Sequence, residues 1–348
     1  MKAAVLTGPR KIEIREVPEP KLTEDGIIMA VKACGICGSD IRRWAEGPPE
    51  NSRGIIQGHE ATGVAVEIGK KAKGYSAGDR LAIAPDIHCG KCHYCKKNLF
   101  NLCDSLRLIG ITPGYDGALA EKILLTGEIL RNGIVNRMPE NIDFVEAALS
   151  EPCASVLASH DRAGTAKGSI VAVMGAGPIG CLHAVVAKAL GATVIVSEPD
   201  EKRRAMAGKF KPALIVDPVN EDLKANVLKL SDNLGADIVI CANPVAATQK
   251  QAVEIVRKAG RVVLFGGLPK ANPMTSLDAN KIHYGEVTVS GSFSYHPSFH
   301  KSALEMISKK QIPADLLITH RYKLAQVNKA FESAGGKEGL KVVIEGGA

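Results

Sequence analysis

The sequence predicts an α/β protein in which a doubly wound parallel sheet is joined to a second, mostly β domain. Three observations predict it. After residue 163, six short β-branched runs alternate with helical patterns, the rhythm of parallel strands connected by crossover helices. Before about residue 155, short strands of alternating polarity are separated by Gly and Pro turns. After residue 291 the strand–helix rhythm stops, and an apolar run at 341–345 is suited to rejoin the first half. The expected division is therefore 1–155 with 292–348 as one domain and 156–291 as the other.

Taken in order, segments 2–6, 27–33, 62–68 and 80–84 read as strands of the β half. The parallel strands fall at 170–174, 193–197, 213–216, 237–241, 261–265 and 287–290. Helical patterns at 181–190, 201–210, 221–231 and 246–258 lie between them, each long enough for a right-handed crossover. A helix at 297–309, a short segment and the closing strand 341–345 complete the chain.

Composition excludes several classes. With 45% hydrophobic and 23% charged residues over 348 positions, the chain has the make-up of a folded globular protein. Its longest apolar runs, such as 169–174 and 236–242, are far shorter than the roughly 20 residues of a membrane span. The N-terminus, MKAAVLTGPRKIEI, alternates like a strand and shows no targeting peptide, so no membrane association is expected. Lys plus Arg total 44 against 37 acids, a formal charge of +7, but the cations are scattered and not interleaved with aromatics, which argues against nucleic acid. Nine cysteines are too few for a disulfide scaffold in a chain of this length, and their clustering points to metal binding in a reducing cytoplasm.

Gly175-Ala176-Gly177-Pro178-Ile179-Gly180 fits G-x-G-x-x-G at the junction of the first parallel strand and the following helix, the context of a Rossmann dinucleotide site. Gly175 permits the tight turn, Gly177 lets backbone approach a pyrophosphate, and Gly180 lets helix and strand pack closely. The following helix offers unpaired N–H groups at its N-terminus to the anion, and Pro178 and Ile179, within the motif, belong to the expected cofactor-binding set. Glu198 ends the second parallel strand, where it would accept hydrogen bonds from the adenine ribose hydroxyls and repel a 2′-phosphate. NAD is therefore expected over NADP, although Lys202 and Arg203 stand near enough in sequence to receive a phosphate. The plainer role for Glu198 is a surface acid at a strand end.

Two groups of residues suit metals. Cys89, Cys92, Cys95 and Cys103, spaced C-x2-C-x2-C-x7-C in a loop with little apolar material, suit closed tetrahedral zinc. An iron–sulfur cluster and free thiols are the rivals, but the last spacing matches neither ferredoxin pattern. The second set is Cys37 in GICGSD, His59 and Glu60 in GHE, and Glu151 in SEP. Each is weak alone, since a lone His is often a core residue and Cys34 with Cys37 could form a redox pair. Together they offer a thiolate, an imidazole and carboxylates with a position left for water or a substrate oxygen.

GICGSD, GHEATGVAVEIG, GDR, the four-cysteine loop, TPGYDG, SEP, GAGPIG, GGL and THRYKL run through the whole chain. On these the sequence resembles the zinc-dependent medium-chain dehydrogenases, in their polyol (sorbitol-like) branch. The resemblance implies a GroES-like β domain beside the Rossmann domain, two zinc ions per chain, a cytoplasmic homotetramer or dimer, and a small-molecule alcohol or ketone substrate. It implies that Cys37, His59 and Glu151 surround the catalytic zinc, with Glu60 a close or alternating ligand and Ser39 the first proton-relay residue. Ser39 has a plainer role too, capping the turn that follows it. The substrate, by the same resemblance, is a secondary alcohol of a polyol, sugar acid or sugar phosphate, with Thr112 and Tyr295 as hydroxyl partners.

The chain departs from its relatives at three places. By that resemblance many relatives have a His three residues beyond the relay position where this sequence has Arg42, sorbitol enzymes commonly have an aromatic where it has Arg43, and an Arg is expected where it has Ser294, just before Tyr295. Arg43 is the candidate contact for a substrate anion, against a surface or intersubunit charge. Ser39 and Glu151 argue against the L-threonine 3-dehydrogenase branch, a general secondary-alcohol dehydrogenase remains an alternative, and a zinc- and nucleotide-binding protein without catalysis would be expected to lack a ligand.

Overall fold

The strand Ile27–Gly35 organises the first half because IIMAVKACG is buried along most of both faces. Apolar residues on both sides need cover on both sides, which places this strand inside a sheet. The order around it is Ile134–Arg137, Arg80–Ala84, Glu60–Ile68, Ile27–Gly35, Lys341–Glu345, Ile318–Lys323, with Lys122–Leu125 also pairing to Ile27–Gly35. Only the last two strands of that order run parallel. A second sheet holds Lys2–Gly8 between Lys11–Glu16 and Ile55–Ile56. Leu6, Ile27, Met29, Leu81, Ile83, Leu125 and Phe331 fill the shared core. Gly35 stands opposite Glu60 in the strand register, so the turn after one strand meets the residues that begin the other.

The second half is a six-stranded, all-parallel sheet. Its order is Leu214–Val216, Thr193–Ser197, Ile170–Met174, Ala236–Cys241, Val256–Leu264, Thr288–Gly291. Numbered within the sheet, this is 3-2-1-4-5-6, the doubly wound order, with the reversal beside the first strand. Met174, Ile195, Val239, Cys241 and Val262 are core residues beneath its helices.

The structure is a computed structural model that describes residues 1–50, 54–336 and 338–346. It divides into two compact units, Met1–Ala154 with Tyr295–Lys310 and Ile318–Ala348, and Ser155–Ser294 with Gln311–Leu317. The units differ from the expected division at three places, the first being Ser155, which falls in the parallel unit. Residues 292–294 and 311–317 belong to the parallel unit, the latter because the short helix Ala314–Leu317 packs on the helix Pro178–Ala189. The helix expected at 246–258 also ends early, at Ile255, and the chain passes directly into the strand Val256–Leu264. Val256 pairs with Ala236, and Arg257 Nε binds Asp237 Oδ1 at 2.6 Å, so strand pairing outcompetes another helical turn. Among the described residues no helix is long and apolar enough to cross a membrane.

Candidate active site

Cys37 is the N-cap of the helix Gly38–Glu46, immediately after the strand Ile27–Gly35. His59 precedes Glu60, the first residue of the neighbouring strand. The Gly35–Glu60 register therefore brings the two motifs together, and the donor atoms of Cys37, His59 and Glu60 all lie within 4.8 Å of one another. A Cβ at Gly35 would occupy the space of the Glu60 carboxylate, which explains a glycine at this point. Glu151 enters from the first turn of the helix Ser150–Ala163. It is a neighbour of the three and not one of the close set, and its Oε1 accepts from the Tyr295 hydroxyl at 3.2 Å. Burial, together with the Glu60 charge, pushes Glu151 up to about 7, with His59 and Lys341 pulling the other way.

Asp40, 1% exposed, links the donors from behind. Its Oδ2 accepts from the Cys37 backbone N–H at 2.9 Å, and its Oδ1 faces His59 Nδ1 at 3.6 Å. Burial works against a charged His59, but the fields of Asp40, Cys37 and Glu151 prevail and hold it well above the ordinary imidazole value. A carboxylate behind one ring nitrogen leaves the other free to ligate a metal, in the common histidine–carboxylate arrangement of metal sites. The Lys341 ammonium pairs with Glu60 and donates to Ile36 O at 3.0 Å. Among the described residues, Ser39 Oγ is buried without a hydrogen-bond partner. One thiolate, one imidazole and a carboxylate, with a buried hydroxyl two residues after the thiolate, fit a catalytic zinc with an open position.

The thiols of Cys89, Cys92, Cys95 and Cys103 also lie within 4.8 Å of one another. Backbone N–H groups are turned onto them: Cys89 N and Ser105 N donate to Cys103 Sγ at 3.2 and 3.4 Å, and Cys92 N donates to Cys89 Sγ at 3.4 Å. Backbone donors pull Cys89 down to about 6, whereas burial pushes Cys95 up to about 12. Four converging sulfurs already braced by amides fit a closed tetrahedral zinc.

In the parallel unit Gly175 takes φ 106°, and a Cβ on Gly180 would run into Gly175 O. Gly177 caps the helix Pro178–Ala189 without a side chain, leaving its first N–H groups open to an anion. Glu198 is 5% exposed and turned into this loop: its Oε2 accepts from Ala176 N at 2.7 Å and its Oε1 from Asp200 N at 3.0 Å. It is not a free surface acid. The Arg203 guanidinium stands over the loop, 3.9 Å from where a Cβ on Gly177 would be. With this geometry in place, comparison decides the family. Residues 23–132 match the alcohol dehydrogenase GroES-like domain and residues 178–309 the zinc-binding dehydrogenase domain. The chain is 32% identical to a sorbitol dehydrogenase of Halalkalibacterium halodurans over 99% of both chains. It belongs to the zinc-binding dehydrogenase family, in its polyol branch.

The dehydrogenase is also 31% identical to a D-arabitol-phosphate dehydrogenase of Enterococcus avium, over 94% of this chain and 91% of that one. A solved zinc-binding dehydrogenase structure from Sinorhizobium meliloti 1021, bound to NADP, superposes with a TM-score of 0.90 at 31% identity, covering 99% and 98% of the two chains. The fold is thus the GroES-like and Rossmann combination, and the chain is a zinc-dependent, NAD(P)-dependent oxidoreductase acting on alcohols.

The expected substrate residues of the dehydrogenase fare differently. Tyr295 is buried and tied to Glu151. Thr112 Oγ1 accepts from Leu108 N at 2.9 Å, so this hydroxyl serves its own loop. Arg43 lies in the last turn of its helix, 4.0 Å from Glu46. Ser39 is not the helix cap, a role taken by Cys37 with Asp40. Sequence reasoning missed Asp40 and Lys341, although the acid of GICGSD stands three residues after Cys37, the spacing of a capping box.

Proposed function

We propose that this dehydrogenase exchanges a hydride between NAD and the secondary alcohol or ketone of a polyol, sugar acid or sugar phosphate. The observation that carries the reading is the convergence of Cys37, His59 and Glu60, with the buried Ser39 hydroxyl two residues after Cys37. Cys37 and His59 hold the catalytic zinc, with Glu60 and Glu151 as near or alternating carboxylates, and the four-cysteine loop holds a second, structural zinc. When bound, the metal supplies Lewis acidity toward an alcohol oxygen and the dinucleotide supplies the hydride acceptor.

The chain's own residues do the rest. Asp40 orients His59, Tyr295 holds Glu151, and the Ser39 hydroxyl would accept the proton released from the substrate hydroxyl while passing its own on toward water. Arg42 cannot extend the relay as a base. Glu198 keeps a negative charge at the loop that receives the adenine ribose, which supports NAD over NADP. The name of the arabitol-phosphate relative supports including phosphorylated polyols.

The assembly is a homotetramer, with a dimer as the alternative. The open edge strand Thr288–Gly291, with Tyr284 77% and Met274 75% exposed near it in sequence, supports a covered face. Nine free cysteines support a reducing cytoplasm. The testing experiment follows cofactor absorbance with NAD and a panel of polyols, sugar acids and sugar phosphates, beside zinc analysis and sedimentation. Turnover of at least one panel member, lost on zinc removal and restored by zinc, is expected; a fully active metal-free enzyme would refute the reading.

A further inference from the structure

Gln57 sets an uncharged amide behind the Cys37–His59 pair, and it is 2% exposed. Its Nε2 donates to Asp40 O at 3.1 Å and approaches Asp40 Oδ1 at 3.5 Å. Among the described residues, its Oε1 is buried without a hydrogen-bond partner. A buried amide with one end unsatisfied costs stability, and a Leu or Met of similar size would fill the space without that cost. The orientation is also determined: rotating the amide would turn Oε1 toward the Asp40 carbonyl and carboxylate, all acceptors. The backbone cannot move away, because Leu119 N donates to Gln57 O at 2.9 Å.

Asp40 is where this orientation acts. Its carboxylate is desolvated, and its placement fixes the Cys37 backbone through Oδ2 and the His59 ring through Oδ1. Resting on the proposed catalytic zinc site, we infer that Gln57 is a positioning residue for the Cys37–His59 metal, acting through Asp40. It restrains the main chain and Oδ1 edge of Asp40, so that the carboxylate faces His59 when the metal is bound. Changing the hydrogen-bond partner of a metal ligand typically costs ten- to a hundredfold in metal affinity, and Gln57 acts through such a partner, Asp40.

The test compares zinc release from the full-length, zinc-loaded enzyme into a chromogenic chelator, without substrate, for wild type, Gln57→Met, Gln57→Glu and Cys37→Ala. Wild type should release zinc in two phases, and Cys37→Ala should lack one of them. In Gln57→Met that phase should quicken roughly tenfold or more, while the four-cysteine phase and the thermal midpoint stay near wild type. Gln57→Glu, which sets a second carboxylate against Asp40, should quicken it further and keeps the idea testable if the Met variant does not fold. Wild-type release in a folded Gln57 variant overturns the role of Gln57 alone. Parallel acceleration of both phases with a lowered midpoint marks a merely structural residue and overturns it too. Two phases persisting in Cys37→Ala would overturn the metal-site reading itself, whatever Gln57 does.

Discussion

Cys37 and Cys95 are the same side chain in different surroundings, and the duties proposed for them differ accordingly. Cys37 stands with an imidazole and a carboxylate, two residues before the buried Ser39 hydroxyl, whereas Cys95 is buried among three other thiols. Cys37→Ala should therefore reduce turnover by several orders of magnitude with little change in the thermal midpoint, measured by steady-state kinetics and calorimetry on the same sample. Glu198→Ala removes both a charge at the ribose position and the acceptor for Ala176 N. The KM for NAD should rise and discrimination against NADP should fall; an unchanged NAD/NADP ratio would show that Glu198 only braces the loop. At Arg43 the loose 4.0 Å pair with Glu46 leaves the guanidinium able to meet an anion. If it does, a charged polyol should lose about 30- to 150-fold in kcat/KM relative to a neutral one of equal length in Arg43→Tyr, from a pairing of about 2 to 3 kcal/mol. Metal donors were legible because their chemistry is confined to few residue types at fixed spacing. Asp40 looks in sequence like any helix-cap acid, and Lys341 reaches Glu60 only through strand pairing that no local pattern records.

Elements differ in how much of their structure is local. The strands Ile170–Met174, Thr193–Ser197 and Lys341–Glu345 begin and end where the sequence placed them, because each is a short apolar run bounded by turn residues or charge. Lys11–Glu16 escaped notice: KIEIRE has a single fully buried residue, Ile12, and is a strand because Lys2–Gly8 pairs with it along its length. Ile318–Lys323 is likewise half-exposed and was hidden in the segment before the closing strand that it pairs with. The four-cysteine loop is the extreme case of an element without a core of its own. Its two short helices, His93–Lys96 and Phe100–Leu102, have one turn each, and exposed Leu99 and Leu102 flank the buried thiols. Metal binding must replace packing there, so Cys95→Ala should chiefly lower thermal or oligomer stability and abolish one zinc equivalent. Loss of activity with the thermal midpoint and assembly intact would show that the loop does catalytic work.

The molecule as a whole carries buried imidazoles away from the metal sites in both units, and together they set its response to acid. In the first unit, Ser150 Oγ donates to Ala147 O, so His300 Nε2–H is left to donate to Ser150 Oγ at 3.0 Å while its Nδ1 accepts from Asn136 Nδ2 at 2.9 Å. A second ring proton would point at the Asn136 amide hydrogens. In the second unit Thr165 Oγ1, His160 and His183 form a line, with ring nitrogens of the two histidines 3.1 Å apart and room for one hydrogen between them. Burial lowers His300 to about 3 and His160 to about 4, and holds His183 well below its ordinary value. Above about pH 7.5 these rings are neutral in folded and unfolded chains alike, and they cost nothing. As pH falls from 6.5 toward 4, the unfolded chain binds protons that the folded chain refuses, so stability must fall with falling pH, by about 3 kcal/mol for His160 alone. In buffers that keep zinc saturating, the thermal midpoint should be nearly level above pH 7 and drop progressively below 6.5. His160→Gln, which retains hydrogen-bonding capacity without a titrating ring, should start from a lower midpoint at pH 7.5 and lose less on the way to pH 4.5. An acid slope identical to wild type would assign the lability to carboxylates elsewhere and remove these histidines from the account.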